Sequence, residues 1–110
     1  MKIDFPELLE MLKSEILALA KRTLTDRVKE AHDDAEYILN FTRDNLENWT
    51  AALQKGTISR EDFEYHIKSQ KDLLTLVNLK RKGISKIRLD KFREDVFFII
   101  ISGVLEAAGI

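Results

Sequence analysis

The sequence predicts an all-α protein: a bundle of three or four long antiparallel amphipathic helices, completed by homo-oligomerisation. Apolar residues recur at helical spacing along most of the chain. Glycine occurs four times and proline once, so few turns can be built and the elements between them must be long. The chain of 110 residues fits one domain, which we assign to residues 1–110.

The first helix is expected to begin at Asp4. The Asp4 carboxylate can cap free amides of the first turn, where Pro6 is tolerated and Glu7 suits the helix dipole. One face of this helix is apolar and is expected to be buried. That face comprises Leu8, Leu12, Ile16 and Leu19.

The end of the first helix is not marked in the sequence, because residues 7–39 contain no glycine, proline or asparagine. The chain can break near residues 21–25, or it can continue as one helix. A break would allow Thr23, Thr25 or Asp26 to cap a second helix.

We favour one long helix ending near Gln54, with at most a kink near residues 21–25, because apolar residues continue through that region at heptad spacing. Such a helix would be about 75 Å long, which favours association over a compact monomer. Thr42 and Asn45 would form a polar layer within the apolar stripe of this helix, or they would lie at the edge of that stripe and contact water. One heptad position of this stripe holds Leu17, Leu24, Ala31, Ile38 and Ala52, and a flanking one holds Val28, Ala35 and Trp49.

A turn between helices is expected at residues 55–62. Gly56 can adopt the left-handed conformation that ends a helix, and Ser59 with Asp62 resembles a capping box. The third helix is predicted to return antiparallel, from about Arg60 to Lys82. Its inner face comprises Phe63, Ile67, Leu74 and Val77, with Leu73 and Leu76 beside it.

The last helix is predicted from about Lys86 to Ala108, capped by Ser85. Its segment Val96–Leu105 is uncharged and apolar on every side, yet ten residues span only about 15 Å, too short for a bilayer core of about 30 Å. A helix that is apolar all round needs neighbours on all sides, and a second copy of the chain could supply them. The small residues Gly103 and Ala107 would let another helix approach closely.

Composition narrows the class of protein further. The 18 basic and 19 acidic residues nearly cancel, which favours a helical surface with ion pairs over a general polyanion binder. The absence of cysteine excludes disulfides and thiolate metal sites. Acidic residues interrupt the apolar ones in the N-terminal sequence, so we expect no signal peptide and a cytoplasmic location.

Basic residues cluster where the third helix meets the fourth. Clustered cations can bind phosphates through counterion release, so a nucleic acid or another polyanion is a candidate partner. The only interleaved aromatic residue, Phe92, fits the core better than a stacking platform. The cluster, called the basic corner below, comprises Lys80, Arg81, Lys82, Lys86, Arg88, Lys91 and Arg93.

A metal site is a weaker candidate. His32 lies in an acidic stretch, but the Glu-x-x-His motif of helical carboxylate sites is absent, since Lys29 occupies the Glu position. His32 and Glu36, four residues apart, are more typical of a surface ion pair. No catalytic motif is present, and we expect no catalytic residue, cofactor or metal. The acidic stretch comprises Glu30, Asp33, Asp34 and Glu36.

These observations together favour a non-enzymatic interaction or assembly protein, with a polyanion-binding accessory protein as the alternative. The expected partner is a second copy of the chain, as a dimer, and a different protein partner also fits. Tyr37, Phe41 and Trp49 are interpreted as packing residues, although they could line a ligand pocket. The predicted interaction residues are Leu24, Ala31, Ile38, Trp49, Phe97, Phe98, Ile100, Ile101 and Leu105.

Overall fold

The structure is a computed structural model that describes residues 3–71 and 83–109. Within those ranges the chain forms four helices and no strand, which confirms the predicted all-α bundle. The homo-oligomerisation stays a prediction. The helices are α1 (Phe5–Thr23), α2 (Val28–Lys55), α3 (Arg60–Lys71) and α4 (Lys86–Ala107).

The favoured single helix over residues 4–54 is wrong, because the chain turns back between α1 and α2. The Thr23 hydroxyl donates a hydrogen bond to the Leu19 carbonyl over 2.8 Å, and Leu24 leaves the helical conformation at φ −127° and ψ 53°. Leu24 is only 2 % exposed, so burial in the core holds this corner. Arg27 occupies the N-cap position of α2 without a side-chain cap.

α1 and α2 form an antiparallel hairpin. The Lys13 ammonium lies 2.8 Å from the Glu36 carboxylate, although 23 residues of continuous helix would separate them by about 34 Å. The longest dimension of the molecule is 43 Å, far below the length expected of the single helix. Thr42 is fully buried and Asn45 is exposed, so the two do not form one polar layer.

The predicted start and inner face of α1 are confirmed. The Asp4 carboxylate accepts a hydrogen bond from the Glu7 amide over 3.2 Å. All four residues of the predicted face are buried: Leu8, Leu12, Ile16 and Leu19.

The predicted turn between α2 and α3 is also confirmed. Gly56 adopts the left-handed conformation at φ 76°, as a glycine at the end of a helix commonly does. The Ser59 hydroxyl accepts from the Asp62 amide over 3.0 Å, and the Asp62 carboxylate accepts from the Ser59 amide over 3.1 Å. This reciprocal capping box fixes the start of α3.

The described part of the third helix agrees with its predicted inner face. Phe63 and Ile67 are fully buried. Its predicted end at Lys82 lies outside the described residues, as do Leu74 and Val77 of that face and the neighbouring Leu73 and Leu76.

The four helices follow one another around the bundle, and α4 packs against α1 as well as α3. The short turn makes α2 and α3 antiparallel. α4 is antiparallel to α1, since Gly103 lies against Leu12 while Arg88 reaches the Thr23 carbonyl at the other end. The four helices of the described residues therefore alternate in direction, as in an up-down-up-down bundle.

α4 begins where it was predicted, with the Ser85 hydroxyl accepting a hydrogen bond from the Arg88 amide over 3.3 Å. Most of the apolar segment Val96–Leu105 is buried by this chain alone. Ile99 and Ser102 are half-buried, and Phe98 is exposed, with 70 % of its surface accessible. A membrane-spanning helix, long and apolar enough to cross a bilayer, is not found within residues 3–71 and 83–109.

Candidate interaction surface

The predicted interaction residues divide into a buried set and an accessible pair. Trp49 is half-buried and Phe98 is exposed, so a partner can reach both without unfolding the bundle. An interface through the other residues would require the helices to separate. Those buried in the core of one chain are Leu24, Ala31, Ile38, Phe97, Ile100, Ile101 and Leu105.

The outward face of α4 carries four exposed residues in one row, which we call the outer α4 stripe: Ile87, Lys91, Glu94 and Phe98. Their spacing of four, three and four residues places them on one side of the helix. Ile87 is 83 % exposed and Phe98 is 70 % exposed, and each lies at one end of the stripe.

Sequence reasoning identified Phe98 but missed Ile87 and Glu94 as members of this surface, and assigned Lys91 only to the basic corner. The signal that could have found the stripe is the helical spacing of the four residues. It was hidden because Val96–Leu105 is apolar on every side, so periodicity does not indicate which face points outward.

A second group of aromatic side chains lies on α2 and α3. The Trp49 and His66 rings stack with centroids 5.0 Å apart and an angle of 14° between their planes. Tyr65 meets the His66 ring edge-on at 6.2 Å and is 71 % exposed. Trp49 therefore contacts α3 within this chain, and its part in an interface with another chain stays a prediction.

Tyr37 and Phe41 form a separate contact on α2, with ring centroids 6.1 Å apart. Both side chains are exposed. Trp49 does not belong to this contact, so the three aromatic residues considered for a ligand pocket lie in two different places.

The described residues of the basic corner are mostly engaged with acidic side chains. Lys91 lies 3.1 Å from Asp95, and Arg93 lies 3.3 Å from Asp90. The Arg88 guanidinium lies 3.6 Å from the Asp26 carboxylate. These acids offset the positive potential that a polyanion would need, and polyanion binding stays a prediction.

For the remaining residues of the basic corner, the structure describes only the position of Lys86. Lys86 is exposed at the start of α4. Lys80, Arg81 and Lys82 lie outside the described residues.

The acidic stretch brings possible ligand atoms of His32, Asp33 and Glu36 within 4.8 Å of one another. However, Glu36 accepts a hydrogen bond from the Lys13 ammonium, which lowers the pKa of Glu36 and raises the pKa of Lys13. The Glu36 carboxylate is thus already neutralised by a cation. His32 lies 3.5 Å from Asp33, whereas the spacing predicted a pair with Glu36, which is instead bonded to Lys13.

Comparison with protein-family models, with curated proteins and with solved structures finds no match to this chain. The class that the described residues define is an all-α bundle, in which four helices are seen and the outer α4 stripe carries exposed apolar side chains.

Proposed function

We propose that the protein is a non-enzymatic helical assembly protein that acts through contact with other protein chains, first of all with a second copy of itself. The observation that carries this proposal is the exposure of Ile87 and Phe98 on one face of α4. Large apolar side chains that share one exposed face are typical of surfaces that bind other proteins.

The free energy gained by burial and the free energy lost on association indicate how tight the dimer should be. Complete burial of Ile87 and Phe98 from each of two copies would contribute on the order of 6–12 kcal/mol in total, at about 1.5–3 kcal/mol per side chain. Association itself costs about 4–15 kcal/mol, so most of this gain is consumed. The proposed dimer is therefore weak and sensitive to protein concentration.

Light scattering on a sizing column tests the proposal directly. The protein would be injected at concentrations from about 1 μM to about 1 mM, which covers dimerisation free energies from roughly −8 to −4 kcal/mol. We expect the mass to rise from the 12.8 kDa of one chain towards twice that value. A mass of one chain at every concentration would refute self-association.

The proposal places this activity in the cytoplasm. It is supported by the lack of cysteine, since the fold needs no disulfide and hence no oxidising compartment. Immunofluorescence of the tagged protein in its own cells checks the location, and a signal confined to another compartment would contradict it.

A further inference from the structure

We propose that two copies associate through antiparallel pairing of their α4 helices about a two-fold axis, with Ile87 of each copy opposite Phe98 of the other and Lys91 opposite Glu94. This inference rests on the proposed self-association and names the surface, the partner and the register. The outer α4 stripe that would form the contact is exposed in the single chain.

The positions of the four residues are self-complementary. Residues 87 and 98 are centred on the point between residues 92 and 93, and so are residues 91 and 94. When two copies of the helix pack antiparallel about that point, residue 87 of one copy lies opposite residue 98 of the other, and residue 91 lies opposite residue 94. The apolar ends then meet each other, and Lys91 meets an acid of opposite charge.

Neighbouring registers are disfavoured by the same charges. A two-fold axis moved to residue 91 would bring the two Lys91 ammonium groups together. An axis moved to residue 94 would oppose the two Glu94 carboxylates. Like charges facing each other at an interface select against the wrong alignment, so the charged middle of the stripe defines one register.

The ion pairs that Lys91 and Arg93 make within each chain do not block the stripe. The Lys91–Asp95 ion pair is on the surface, where such pairs contribute little and can be exchanged for an intermolecular pair. Arg93 pairs with Asp90 beside the stripe and does not occupy it. The stripe spans about 16 Å of helix, which agrees with a small and weak interface.

A charge-exchange experiment tests the register. Lys91→Glu leaves two acids at the middle of the stripe, and Glu94→Lys leaves two bases. We expect each variant alone to dimerise about tenfold or more weakly than the unmodified protein, because like charges then face each other. An equimolar mixture of the two should recover dimerisation, since every acid again meets a base.

Cross-linking gives an independent measurement of the same register. The chain has no cysteine, so introduced thiols are unique. A mixture of Ile87→Cys and Phe98→Cys variants should form a disulfide-linked dimer under mild oxidation. Ile87→Cys alone should link far more slowly, because the antiparallel register separates its two thiols by about 16 Å along the helices.

Controls separate this inference from the proposed function. Tyr65→Ser removes an aromatic side chain of similar exposure from α3 and should leave dimerisation unchanged, whereas Phe98→Ser should weaken it. Circular dichroism checks that each variant keeps its helices. If the protein dimerises but the mixture of charge variants gains nothing over each alone, the register is wrong while self-association stands. If the unmodified protein never dimerises, both proposals fail.

Discussion

Gly103 of α4 lies so close to Leu12 of α1 that a Cβ atom at position 103 would come within 2.5 Å of the Leu12 Cδ2. Leu12 is completely buried, so its side chain has little space into which it could move. The sequence predicted a close approach of another helix at Gly103, and that prediction is confirmed, with α1 as the neighbour. The absent side chain at position 103 therefore sets the distance between two helices.

Gly103→Ala tests this contact. Alanine would favour the helix by about 1 kcal/mol, but overpacking a filled core costs about 1–3 kcal/mol. We expect the overpacking to dominate and the free energy of unfolding to fall by about 1 kcal/mol. Urea denaturation followed by circular dichroism measures the change.

The control places the same substitution in a Leu12→Ala background. Leu12→Ala alone should cost about 2–5 kcal/mol, but it leaves space beside position 103. In that background Gly103→Ala should become neutral or stabilising by up to about 1 kcal/mol. Equal effects of Gly103→Ala in both backgrounds would show that the two residues do not interact.

Thr50→Val should stabilise the protein. The Thr50 hydroxyl is buried and has no hydrogen-bond partner among the described residues. Burial of an unsatisfied polar group costs about 1–3 kcal/mol, and valine keeps nearly the same shape without that group. We expect the free energy of unfolding to rise by about 1 kcal/mol in urea denaturation.

Thr42→Val is the matched control on the same helix. Thr42 is also buried, but its hydroxyl donates a hydrogen bond to the Ile38 carbonyl over 2.9 Å. Loss of this bond offsets the gain from burying a methyl group, so Thr42→Val should leave the protein about 1 kcal/mol less stable than Thr50→Val does. A Thr42→Val variant as stable as Thr50→Val would contradict this account.

Ser59→Ala should weaken the start of α3. It removes the hydroxyl that accepts from the Asp62 amide, a change that typically costs about 1 kcal/mol. Thermal denaturation should show a lower midpoint. Ser69→Ala, inside the same helix, is the control, because its hydroxyl only donates back to the Tyr65 carbonyl and alanine favours helix there. Equal losses for both serines would contradict a special role of the cap.

The caps and turns were predictable from the sequence because they depend on residues close together in the chain. Asp4, Ser59 and Ser85 each cap a helix through an amide three residues away, so a short sequence window contains the whole interaction. The same holds for Gly56, which ends α2 without help from distant residues.

The corner between α1 and α2 was not predictable in the same way. Its residues carry no strong helix-breaking signal, and Leu24 is held there by burial against distant parts of the chain. Ala31 and Ile38 are also buried in the same core, so the apolar spacing continues across the corner as it would in one helix. The exposure of Phe98 likewise depends on where other helices pack, since its neighbours in sequence are apolar on every face.

The ion pair between Lys13 and Glu36 gives the stability of the hairpin a defined dependence on pH. Its hydrogen bond holds the pKa of Glu36 below the ordinary value of 4.5 and the pKa of Lys13 above 10.5. The stabilisation is therefore fully present between those ordinary values. It is lost as the pH falls through the lowered pKa of Glu36, and again as the pH rises through the raised pKa of Lys13.

Lys13→Met removes this ion pair, and an NMR titration of the Glu36 carboxyl carbon measures the resulting change in the pKa of Glu36. We expect the pKa of Glu36 to lie below 4.5 in the unmodified protein and to move towards that value in Lys13→Met, because the donor is gone. Lys21→Met removes an equal charge from the exposed end of α1 and should leave the titration unchanged. A Glu36 midpoint that is the same with and without Lys13 would mean that the Lys13–Glu36 hydrogen bond is not formed in solution.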